Sequence, residues 1–123
     1  MTRLQRAIAN PRVSGAQIRA IASELPQIGL EDALAILLAL LDREPQTFER
    51  AGARWGARMT IEHRLGLIDA QLALASIAAL QGPGAHAGAE ALIELSDRHG
   101  LRRVDGLLQA WLTGRGARGR SSR

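Results

Sequence analysis

The sequence predicts an all-α fold: about three stacked helical hairpins, arranged as an αα-repeat or an orthogonal bundle, with a short N-terminal helix and a disordered C-terminal tail. Three observations carry that prediction. Ala, Leu and Arg are strong helix formers and dominate the chain, while strand-favouring residues are scarce and the aromatics are Phe48, Trp55 and Trp111. Apolar residues recur at helical spacing between Pro and Gly breaks. Three segments also begin alike, Ile28-Gly29-Leu30, Leu65-Gly66-Leu67 and His99-Gly100-Leu101, with glycines 37 and then 34 residues apart. A period of that size is the signature of repeated helical units.

Residues 3–9 form the short first helix, with Leu4, Ala7 and Ile8 on one face, and Asn10-Pro11 ends it. Ser14 then reads as an N-cap. Gln17 completes a capping box, and Ile18, Ile21, Ala22 and Leu25 supply an apolar stripe up to Pro26. Residues 31–43 follow as a helix that is apolar nearly all round, from Ala33 and Leu34 to Leu40 and Leu41, and such a helix must be buried on most sides. Pro45 closes the first hairpin, 15–43. A helix beginning at Gln46 or Thr47 carries Phe48, Ala51, Trp55 and Met59 on one stripe. It opens the second hairpin, 46–81, and Gln81-Gly82-Pro83-Gly84 separates that from the third, 84–113.

At each Gly-Leu pair the glycine is expected to adopt the left-handed conformation that ends a helix. The leucine is expected to pack back on the last turn, Leu67 on Ile61 and Leu101 on Leu95. The second helix of each hairpin is expected to line the interior, with Ala73, Ala75, Ala78 and Ala79 admitting close neighbours. In period the pattern is similar to tetratricopeptide and HEAT-type repeats over residues 15–113, without the residues that define those families. The resemblance implies architecture alone.

Residues 1–113 read as a single α-helical domain. The chain has no cysteine, which excludes disulfides and thiolate chemistry and suits a cytoplasmic location. No apolar segment follows Arg3 and Arg6, so no secretory signal is expected. The longest apolar run, 33–41, falls far short of the ~20 residues that span a bilayer, and no membrane association is expected. Net charge is +4, but residues 1–113 hold 12 Arg against 12 Asp plus Glu. All of the excess therefore lies in 114–123, through Arg115, Arg118, Arg120 and Arg123. This Arg/Gly segment is too polar to fold alone and suits salt-dependent attraction to nucleic acid.

Catalytic constellations are missing. His63, His86 and His99 lack metal-binding spacing, there is no nucleophile elbow, and Gly82-Pro83-Gly84 lacks the Lys and Ser or Thr of a phosphate loop. The reading is therefore a non-enzymatic protein with no metal or cofactor. Arg50, Arg54 and Arg58 recur at i, i+4 and i+8, and only Arg58 has an acid, Glu62, at i+4. With Phe48 and Trp55 they form the expected surface for a protein partner or a second copy, because aromatics and Arg anchor interfaces. The alternative is a small nucleic-acid-binding or regulatory protein using the Arg stripe and the tail. Gly52 and Gly56, each costing about 1 kcal/mol in a helix, point to close approach of another helix. A helix-turn-helix reading of 91–112 is weakened by Gly106 and by Asp97 and Asp105 on its groove face.

Overall fold

The structure, a computed structural model, describes the backbone of residues 2–25 and 27–121 and side chains as far as Arg115. Seven α-helices occur among the described residues: α1 (Arg3–Ala9), α2 (Gly15–Ser23), α3 (Leu30–Arg43), α4 (Phe48–Glu62), α5 (Leu67–Ala79), α6 (Ala85–Arg98) and α7 (Arg102–Ser121). Pro45–Thr47 form a single 3-10 turn ahead of α4, so that helix starts one or two residues later than expected. Two capping boxes start the chain. Ser14 and Gln17 cap α2 as expected, and Thr2 and Gln5 cap α1 in the same way. No helix among the described residues is long and apolar enough to cross a membrane.

Helix α3 organises the packing because both of its sides are apolar. Leu30, Leu34, Leu37 and Leu38 join a core with Phe48, Trp55, Met59, Ala73, Ile77, Leu92, Leu95 and Leu108. On the other side Ala39 and Ile36 meet Leu4, Ala7 and Ile18 of α1 and α2. Arg43, in the last turn of α3, donates to the carbonyls of Ala7, Ile8 and Val13 and so satisfies the C-terminal end of α1.

From α3 to α7 each helix packs on the next, and α7 closes back on α3, where Arg103 lies 3.3 Å from Glu31. Stacked repeats bring corresponding helices of successive hairpins together. Among the described residues, α2 with α4, α4 with α6, α3 with α5 and α5 with α7 show no such backbone approach. The neighbour pattern is thus that of a closed bundle, in which consecutive hairpins follow one another around a shared core.

The helix glycines explain the tightest contacts. A Cβ on Gly52 would lie 2.7 Å from Ile77, and one on Gly56 2.7 Å from Leu74. Their role is close approach of α5 to α4 within one chain. The α5–α6 contact is tighter, since a Cβ on Gly88 would come within 2.6 Å of the Ser76 carbonyl oxygen.

The three Gly-Leu pairs are not equivalent. Gly29 and Gly66 are extended residues at the N-caps of α3 and α5, and only Gly100 is left-handed, with φ +71°. There the Leu101 N–H donates to the Ser96 carbonyl (2.8 Å) and the Gly100 N–H to Asp97 (3.1 Å), a Schellman ending. The same ending closes α4 two residues earlier than expected, with Arg64 as the left-handed residue (φ +51°) and Leu65 donating to Thr60 (3.0 Å). Leu65 is therefore the leucine that packs inward, and Leu67 does not cover Ile61. Because Arg64 carries the steric cost of that conformation, Arg64→Gly is expected to stabilise the fold by about 0.5–1 kcal/mol, and Gly100→Ala to destabilise it by a similar amount. Urea unfolding midpoints check both.

Helix α7 is continuous past Thr113 into the Arg/Gly tail. Arg and Ala favour that continuation locally, and the Arg115 guanidinium stacks 4.7 Å from the Trp111 ring centre, one turn back. The side chains of Arg118, Arg120 and Arg123 lie outside the described residues.

Candidate functional site

The five residues expected to form one surface on α4 divide between interior and exterior. Phe48 and Trp55 are core, 0% and 3% exposed, and the Trp55 indole N–H donates to the Leu30 carbonyl at 3.0 Å. This corrects their assignment as partner-binding residues: the stripe that they share with Ala51 and Met59 is the inward face of α4. Arg58 is half-buried and committed, donating to Glu62 at 3.0 Å and to the Ile28 carbonyl.

Arg50 and Arg54 remain outside and share a groove of about 730 Å³ with Arg19, Leu40 and Glu49, between α2 and the start of α4. Arg19 is held by Glu44 through two hydrogen bonds of 2.9 and 2.6 Å. That pairing, chiefly its hydrogen bonds, holds the Glu44 carboxyl below the usual carboxylate range. Arg50 and Arg54 have no carboxylate partner among the described residues, nor has Arg64 at the far end of α4. Glu31 and Asp69 are engaged by α7 and by the end of α6.

The largest exposed apolar surface lies on α5. Leu67 is 76% exposed, Ile68 79% and Leu74 43%, and Ile61 in the last turn of α4 adds a side chain that is 77% exposed. Gln71, Ala75 and Ala78 complete the outer face of the helix. Helix α5 is largely apolar all round, as α3 is, but among the described residues its packing neighbours are α4 and α6 alone. The α1–α2 hairpin covers the second side of α3, and among the described residues nothing equivalent covers α5. It is thus the exception to the expectation that second helices line the interior.

On the far side of α5 the outer face of α6 is acidic. Glu90, Glu94 and Asp97 recur at i, i+4 and i+7, and with Asp105 of α7 they line a groove of about 510 Å³. Glu90 has His86 beside it, whereas Glu94 and Asp97 have no basic partner among the described residues. Carboxylates thus fill the groove that a helix-turn-helix reading would turn toward phosphates, and like charge repels DNA there. The arginines Arg50 and Arg54 thus line the α2 side of α4, and the carboxylates Glu90, Glu94 and Asp97 line the α7 side of α6.

Helices α5 and α6 are tied at one end by Asp69, in the first turn of α5. His99 Nε2 lies 3.0 Å from one carboxylate oxygen and Arg98 3.4 Å from the other. His99, the C-cap of α6, thus bridges to α5. The hydrogen bond to His99, with help from Arg98, holds the Asp69 carboxyl below its usual range. A carboxylate lowered in the folded state contributes stability that is present above its unfolded pKa and lost as pH falls through the folded value. Acid unfolding of Asp69→Asn is therefore expected to show a shallower loss of stability below the usual carboxylate range than wild type, with the two proteins converging at the lowest pH.

No group of three or more His, Asp or Glu among the described residues is placed to hold a metal ion. Comparison with known proteins finds no matching family model, no similar curated protein and no similar solved structure.

Proposed function

We propose that this chain is a non-enzymatic interaction protein that binds another protein or itself through the outer face of α5, Leu67, Ile68 and Leu74, together with Ile61. The observation that carries this reading is the high exposure of Ile61, in the last turn of α4, and of Leu67 and Ile68, in the first turn of α5. Contiguous apolar patches on a helical surface mark interaction sites, whereas scattered ones do not. Fully burying a Leu or Ile contributes about 1.5–3 kcal/mol, so these three supply on the order of 5–9 kcal/mol when covered. That is comparable to the 4–15 kcal/mol or so that association costs.

Leu67→Glu combined with Ile68→Glu tests the proposal, because both side chains already face water and the fold tolerates the change. The doubly substituted chain is expected to keep its unfolding midpoint and to lose every partner that the unaltered chain captures. Unchanged capture overturns the assignment. A second reading, nucleic-acid binding through Arg50, Arg54 and the tail arginines, draws on Arg50 and Arg54, which have no carboxylate partner among the described residues. It expects the opposite profile, with binding that falls steeply with salt and is indifferent to residues 67 and 68.

A further inference from the structure

We infer that the groove between α2 and α4 is a second binding surface, separate from α5, and that it takes an acidic helical segment of another protein whose carboxylates lie one turn apart. The groove is a product of the packing. Helices α2 and α4 each lie on α3 and do not approach one another, so a trough remains between them with Leu40 of α3 at its base. Arg19 stands on its α2 side, and Arg50, Ala51, Ala53 and Arg54 on its α4 side. Gly52 and Gly56 meet α5, and Arg50 and Arg54, each two residues earlier, point the other way around α4.

Two observations select the occupant. The first is the charge left over. Glu44 meets the charge of Arg19 through two hydrogen bonds of 2.9 and 2.6 Å. Arg50 and Arg54 are exposed, have no carboxylate partner among the described residues, and are each other's neighbours at i and i+4, a like-charge spacing that is unfavourable until anions are placed against it. Glu49 is the one carboxylate that lines the groove beside them, so positive charge is in excess there. The second observation is the match of spacing and surface. Residues at i and i+4 of any helix are about 5–6 Å apart at Cβ, so an incoming helix with Glu at those positions meets the two guanidiniums turn for turn, and each carboxylate can accept a pair of N–H bonds. Leu40, Ala51 and Ala53 supply the apolar seat on which an amphipathic helix docks. Nucleic acid fits less well. Single strands stack on aromatic faces, and the aromatics of α4, Phe48 and Trp55, are in the core. A duplex backbone is held by a longer row of cations, and here Arg50 and Arg54 stand beside a carboxylate.

Fluorescence anisotropy on the full chain tests the inference with a labelled, end-blocked, alanine-based helical peptide that carries Glu at i and i+4 and Leu on the same face. The unaltered chain is expected to bind it, and to bind the same peptide with Gln in both Glu positions about tenfold more weakly or worse. Arg50→Glu with Arg54→Glu is expected to weaken binding of the Glu peptide by about tenfold or more and to confer binding of a peptide with Lys in both Glu positions, which the unaltered chain rejects. Ala53→Trp fills the groove without altering its charge and is expected to weaken binding by about tenfold, which separates the groove from surface charge in general. All three substituted positions are exposed, so unfolding midpoints are expected to hold. Leu67→Glu with Ile68→Glu is expected to leave peptide binding unchanged, so the groove and the α5 surface stand or fall separately. Absence of Glu-peptide binding up to about millimolar concentration, equal affinity for the Glu and Gln peptides, failure of the Lys peptide to bind the reversed variant, or a single-stranded oligonucleotide that displaces the Glu peptide at equal concentration overturns the inference.

Discussion

Trp55→Ala is expected to cost about 3–5 kcal/mol, a large part of the 5–15 kcal/mol or so that a domain of this size has to lose. The indole fills the space between α3 and α4 at the centre of the ring, and its N–H satisfies the Leu30 carbonyl in the first turn of α3. Truncation leaves a cavity that backbone elements on both sides keep open. Trp55→Phe retains most of the volume and forfeits the hydrogen bond, so its expected cost is nearer 1 kcal/mol. Urea unfolding followed by Trp111 fluorescence separates the two. The result also bears on function, because loss of binding in Trp55→Ala reports unfolding and says nothing of a surface.

Gly88→Ala is the second large effect, and its sign is the informative part. In an exposed helix the change gains up to about 1 kcal/mol, since Ala is the better helix former. At residue 88 the new methyl would meet the Ser76 carbonyl oxygen at 2.6 Å and the Ala79 methyl at 3.0 Å, and the first of these belongs to backbone. Separating α5 from α6 is the only relief, with an overpacking cost of about 1–3 kcal/mol. A net loss of about 1–2 kcal/mol is expected. Gly106→Ala in α7, where a Cβ meets nothing within 4 Å, is the internal control and is expected to stabilise the fold by about 0.5–1 kcal/mol. Thermal midpoints that move in the same direction for both would contradict the close α5–α6 contact.

Helix boundaries were legible in the sequence wherever a local chemical device marks them, such as Ser14 with Gln17, Asn10-Pro11 and Pro45. Each acts through its own backbone and needs no tertiary partner. The double-sided burial of α3 was legible for the same reason, being written in its composition. What could not be read was which apolar residue faces which neighbour. Phe48 and Trp55 have the chemistry of interface anchors and of core residues alike, and only the position of α3 above them decides. Helix α5 has the same all-round apolar pattern as α3, yet α1 and α2 cover α3 and no described element covers α5. The Gly-Leu repeat misled by one helix end, because Arg64 occupies a left-handed position that side-chain sterics ordinarily reserve for glycine. Stacking and closure also share the same local pattern, and the contact of α7 with α3 that distinguishes them is a long-range event.

The central claim is that the face of α5, and not the aromatic stripe of α4, is where this chain meets its partner. Covalent side-chain footprinting of the free and the associated protein tests it most directly. Heavy labelling of Ile61, Leu67 and Ile68 in the free chain, none at Phe48 or Trp55, and protection of the first three on association are expected. Labelling of Trp55, or association that leaves Leu67 and Ile68 fully reactive, would contradict it.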